Sequence, residues 1–92
     1  MSDALETLAR IQATARAIRE ATSCPVSYRE LHHEPRAGSA IDVAVYLQND
    51  DGAAFWWQGS SNPIGAHDMP LEEMHEAMLA WLVEYRKGRE AA

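Results

Sequence analysis

The four histidines and a run of carboxylates are the first residues in this sequence with the chemistry to do more than pack. His32 and His33 are adjacent, and His67 and His75 flank Asp68, Glu72, Glu73 and Glu76. Metal ligands on a helix must stand three or four residues apart to share a face. Glu72 with His75 or Glu76 meets that spacing, but a third ligand on the same face is missing. Neighbours such as His32 and His33 point to opposite sides of a strand. The expectation is surface histidines, with no metal and no other cofactor.

Nucleophilic catalysis needs a nucleophile, a base and an orienting group within hydrogen-bond reach of one another. Cys24, the only cysteine, precedes a proline, and Ser60-Ser61 lies in a stretch with no strand-to-helix elbow around it. The consecutive acids Glu72 and Glu73 suit the first turn of a helix, where the dipole favours negative charge. No glycine-rich phosphate loop is present. No catalytic residues are assigned, and the chain is not expected to be an enzyme.

Aromatic residues point elsewhere. Trp56 and Trp57 are consecutive, so in a strand their side chains must face opposite sides of the sheet and one of them leaves the core. If the preceding turn sets Tyr46 opposite Trp56, the two form a cross-strand pair on the outer face, and a one-residue slip puts Trp57 there instead. Tyr and Trp dominate binding energy at protein interfaces. Asp42 and Gln48, on the same side of their strand as Tyr46, would supply a polar rim.

Charge is unevenly spread. The net formal charge is −6, yet from Ala37 through Tyr85 there is no Lys or Arg, while Asp42, Asp50, Asp51, Asp68, Glu72, Glu73, Glu76 and Glu84 all fall in that stretch. Such a segment repels phosphates and attracts basic surfaces.

These residues must be positioned by elements that the hydrophobic periodicity reveals. Leu5, Leu8, Ile11, Ala15 and Ile18 recur at helical spacing, with Asp3 as a cap and Pro25 stopping the helix near Thr22. Val26 to His32 reads as a strand. Ile41, Val43, Val45 and Leu47 alternate with Asp42, Ala44, Tyr46 and Gln48 in a second, and Asn49-Asp50-Asp51-Gly52 is a turn leading into a third, Ala53 to Gln58. Gly59 to Met69 reads as an irregular connection. Asp68 and Pro70 then open a second helix whose apolar stripe is Leu71, Met74, Met78, Trp81, Leu82 and Tyr85. The fold class is α+β, one domain over residues 1–92: helix, three-stranded antiparallel sheet, helix, with both helices on one sheet face and the other face open.

This order resembles that of the double-stranded RNA-binding domain, in topology alone. The family grips phosphates with lysines at the start of its second helix, where this chain reads Leu71-Glu72-Glu73-Met74-His75-Glu76. The sign is wrong for phosphate neutralisation, so direct nucleic-acid binding is not expected. No run is long enough to cross a bilayer, and Met1 to Glu6 lacks a basic segment followed by an apolar one, so a cytoplasmic protein without membrane contact is expected.

Size, acidity and the lack of catalytic groups resemble phage- or plasmid-encoded inhibitors, anti-CRISPR proteins among them. The resemblance implies a nucleic-acid mimic that occupies the basic site of a nucleic-acid-binding complex. The partner-binding residues would be Tyr46, Trp56, Trp57, Asp42, Asp50, Asp51, Asp68, Glu72, Glu73 and Glu76. The alternative is a homodimeric structural or regulatory subunit that buries the open sheet face against a copy of itself.

Overall fold

A computed structural model describes residues 4–33, 40–48, 54–62 and 69–91. Helix α1 spans Ala4–Thr22, strands β1, β2 and β3 span Val26–His33, Ala40–Gln48 and Ala54–Ser60, and helix α2 spans Leu71–Ala91. The strands form one antiparallel sheet in the order β1-β2-β3. Both helices pack against one another on the same side of this sheet, α1 over β1 and α2 over β3. The architecture is therefore the α+β arrangement expected from periodicity.

Helix α1 ends where chain chemistry requires. Ser23 takes a left-handed φ of 58° and donates its N–H to the Arg19 carbonyl at 2.9 Å. Thr22 Oγ1 donates to the Ile18 carbonyl at 2.7 Å and accepts the Cys24 N–H at 3.2 Å, so the last turn closes before Pro25. The expected apolar stripe of α1 holds at Leu8, Ile11, Ala15 and Ile18, but Leu5 is exposed and Thr7 is buried in the first turn instead. At 100° per residue Leu5 stands about 120° around the helix from the centre of the buried stripe, whereas Thr7 falls within it.

The core is assembled from the helix-facing positions of β2, namely Val43, Val45 and Leu47, with Ile11 and Ile18 of α1 and Met74 and Met78 of α2, all essentially fully buried. Strand boundaries differ from expectation, with β2 already under way at Ala40. Strand β1 runs on through His33, and β3 through Ser60, because backbone partners hold the chain extended beyond the apolar run. Ser60 N–H donates to the Met69 carbonyl at 2.8 Å, Ser61 N–H to the Ile41 carbonyl at 2.9 Å, and Ser61 Oγ accepts the Ile41 N–H at 2.8 Å. The segment expected to be irregular from Gly59 thus begins as strand. Gly59 lies so close under α2 that an added Cβ would stand 3.1 Å from Met74 Cβ and Sδ and from the Met69 carbonyl. The expected cap residues Asp3 and Asp68, and the turn at Asn49 to Gly52, lie outside the described residues.

Candidate surface for protein interaction

Register decides which tryptophan faces outward. Tyr46 pairs with Trp56, and Val45 with Trp57. Since directly paired residues of an antiparallel ladder share a face, Trp57 goes to the helix side with Val45 and Trp56 to the open side with Tyr46. Phe55 and Trp57 stack at 6.3 Å, and both meet Trp81 of α2 edge-on, at 5.2 and 5.8 Å between ring centroids. Trp81 in turn stacks on Tyr85 at 5.2 Å, and the Arg89 guanidinium caps that ring while donating to the Tyr85 hydroxyl at 2.9 Å. Trp57 is thus structural, held in an aromatic column between β3 and α2.

Trp56 has the opposite surroundings. It is 59% exposed, lies edge-on to half-buried Tyr46 at 5.8 Å, and donates its indole N–H to Gln58 Oε1 at 3.3 Å. The same face carries Leu31, 62% exposed, opposite Asp42 in the ladder, and Arg29 opposite Ala44. A shallow hollow of about 290 Å³ lies over Ala44, lined by Arg29, Leu31, Asp42, Trp56 and Gln58 among others. Ala44 makes this hollow because its methyl stands between larger neighbours on both flanking strands. The result is a patch that mixes apolar high points with Arg29, Asp42 and neutral polar groups such as Gln58 and the Tyr46 hydroxyl, the composition of interface cores and their rims.

The ten residues expected to bind a partner do not gather on one surface. Tyr46, Trp56 and Asp42 share the open face. Glu72, Glu73 and Glu76 are exposed on α2, on the far side of the sheet from Trp56, and Trp57 is turned toward that helix. Asp50, Asp51 and Asp68 lie outside the described residues. Leu31 and Arg29 were not among the expected residues. Their signal was the alternation of β1, but its register against β2 was needed to place them on the face and hollow that Trp56 shares.

On the helix side, Tyr28 of β1 sits under α1. Its hydroxyl donates to Glu30 Oε2 at 3.1 Å and accepts from Gln12 Nε2 at 3.4 Å, while Gln12 also donates to Glu30 Oε2 at 3.1 Å. Burial pushes the phenol up to about 12; the Gln12 hydrogen bond opposes this and the Glu30 carboxylate adds to it. His75 is half-buried between the helices, its Nε2 3.2 Å from Thr14 Oγ1. Cys24 is buried and its thiol donates to the Thr22 carbonyl at 3.5 Å. Among the described residues no three His, Cys, Asp or Glu side chains converge as a metal site would require, and no helix is long and apolar enough to cross a membrane. No family model, no curated protein and no solved structure matches this chain.

Proposed function

We propose that the protein is a non-catalytic interaction domain that docks another protein on its open sheet face. The observation that carries this reading is Trp56, a large ring held edge-on against Tyr46 and left more than half exposed on the rim of a hollow that exposed Leu31 also lines. A solitary exposed apolar side chain is ordinary, whereas an exposed Trp and an exposed Leu facing each other across one hollow mark a contact surface. Affinity purification from the source cells with the wild type and with Trp56→Ala tests it. The bound protein is expected to be lost with Trp56→Ala; retention of the same protein by that variant contradicts the reading.

A second reading, a nucleic-acid-mimicking inhibitor resembling the anti-CRISPR proteins, is favoured by the net charge of −6 and the cation-free stretch from Ala37 to Tyr85. In this reading the acids draw in a basic partner over distance and raise the association rate. The described acids of α2 stand apart from the exposed rings, so charge and aromatic contact act from different sides of the molecule. Binding that weakens steeply with salt, and that is lost when Glu72, Glu73 and Glu76 are changed to Gln, favours it; indifference to both counts against it.

A further inference from the structure

The open face has an internal order that exposure alone does not reveal. Ala44 of β2 is flanked by Arg29 on β1 and Gln58 on β3; one step along, Asp42 is flanked by Leu31, and one step the other way Tyr46 is flanked by Trp56. Leu31, Ala44 and Trp56 therefore run corner to corner across the sheet as an apolar diagonal. Arg29 and Tyr46 lie on one side of that line, Asp42 and Gln58 on the other, with Arg29 and Gln58 one strand across from Ala44 and Asp42 and Tyr46 two residues along its own strand.

We propose that the occupant of the open face is a second copy of this chain, related by a two-fold axis lying along the Leu31–Ala44–Trp56 diagonal. This rests on the reading that the open face is the docking surface and names what docks there. Rotation about such an axis lays each position over its reflection in the diagonal. Arg29 meets the partner's Asp42 and Tyr46 meets the partner's Gln58, each contact occurring twice, while Leu31 and Trp56 meet their own counterparts. A two-fold interface requires that residue i contacts j and j contacts i, and a face with its cation and anion on opposite sides of an apolar line, the cation on a side chain long enough to reach across, satisfies this.

The rest of the face fits that occupant. The hollow over Ala44, about 290 Å³ and lined by both Arg29 and Asp42, leaves room for the guanidinium to cross to the partner's carboxylate. A carboxylate offers about four lone-pair sites, so Asp42 accepts the incoming guanidinium beside its contacts within the chain. The pairing fixes the register of the two sheets more than it adds affinity. The net charge of −6 does not oppose the contact strongly, because Glu72, Glu73 and Glu76 lie across the sheet on α2 and the contact face carries charges of both signs. The strands of the two sheets cross steeply, as in orthogonal sheet packing. A three-stranded face is narrow, so the dimer is weak and concentration-dependent.

Sedimentation velocity over a range from low to high micromolar protein tests the proposal with four variants. Wild type is expected to shift from monomer to dimer. Arg29→Asp and Asp42→Arg, each placing like charges opposite one another, are expected to weaken the dimer by about tenfold or more. The exchanged pair R29D/D42R is expected to restore it, which a merely structural role of either residue would not do. A wild type that stays monomeric throughout, or a dimer indifferent to both single changes, overturns the proposal. Trp56→Asp separates this from the underlying reading. A dimer that survives Trp56→Asp places self-association on another surface and overturns the proposal, whereas a monomeric wild type that still loses a captured protein on Trp56→Ala leaves the face as a docking surface for a different partner.

Discussion

Trp56 and Trp57 are neighbours in one strand, yet they belong to two regions with opposite physics. Trp57 faces α2 and is held from both sides by Phe55 and Trp81, and beyond them the column continues to Tyr85 and Arg89. Trp56 faces away and, among the described residues, meets the Tyr46 ring and hydrogen-bonds to Gln58. The covered face is packed against α2, ring against ring, while the open face keeps large apolar groups in water. A side chain costly to leave in water and not needed for folding points to a contact made with another molecule.

The comparison breaks first if the covered face can be emptied without harm. Met78 is fully buried at the centre of the core, so Met78→Ala is expected to cost about 3 kcal/mol in chemical denaturation. Trp57→Ala, which opens the aromatic column, is expected to cost roughly 2–3 kcal/mol. The matching change on the open face, Trp56→Ala, is expected to stay within about 1 kcal/mol, since it forfeits one edge-on ring contact and an exposed hydrogen bond. Equal losses for the two tryptophans would erase the distinction between the faces.

Smaller changes sharpen it. Gly59→Ala places a methyl 3.1 Å from Met74, under a helix that must give way, and is expected to destabilise by about 1–2 kcal/mol, whereas Ala44→Ser on the open face should be within about 0.5 kcal/mol of wild type. Tyr28, also on the covered side, gives the smallest effect and a pH signature. Its phenol ionises near 10.0 when unfolded and near 12 when folded, so the native state keeps a proton the unfolded state has released between those values. Its contribution is complete below pH 10.0 and is lost as pH rises toward 12. Tyr28→Phe is expected to flatten that part of the stability profile relative to wild type.

Much of this fold was legible before any coordinates. Alternation in Ile41 to Gln48 and the 3–4 spacing of Leu71, Met74, Met78 and Leu82 reflect single-face burial, which is a local property of strand and helix. The position of Leu5 outside the core was not legible in its three-residue spacing to Leu8 alone, since it stands about 120° around α1 from the centre of the buried stripe. Nor was the extension of β3 through Ser60, which depends on backbone contacts to Met69 and Ile41 far along the chain. The candidate surface was half legible. Adjacent tryptophans guaranteed that one would leave the core, but which one followed from the pairing of Tyr46 with Trp56. The acids of α2 looked like companions of those rings because they share a cation-free stretch of sequence. Folding puts the sheet between them, since a helix that covers one sheet face cannot lend its outer residues to the other.

The open face is the docking surface on this account, and hydroxyl-radical footprinting of the protein, dilute and then assembled with itself or with a captured partner, tests that most directly. Leu31 and Trp56 compete there with Leu5, Leu79 and Val83, the exposed large apolar residues of the helices. Assembly is expected to protect Leu31 and Trp56 and leave the helix residues reacting as before. Protection of Leu79 and Val83 with Trp56 still fully reactive would put the contact on the helices and contradict the account.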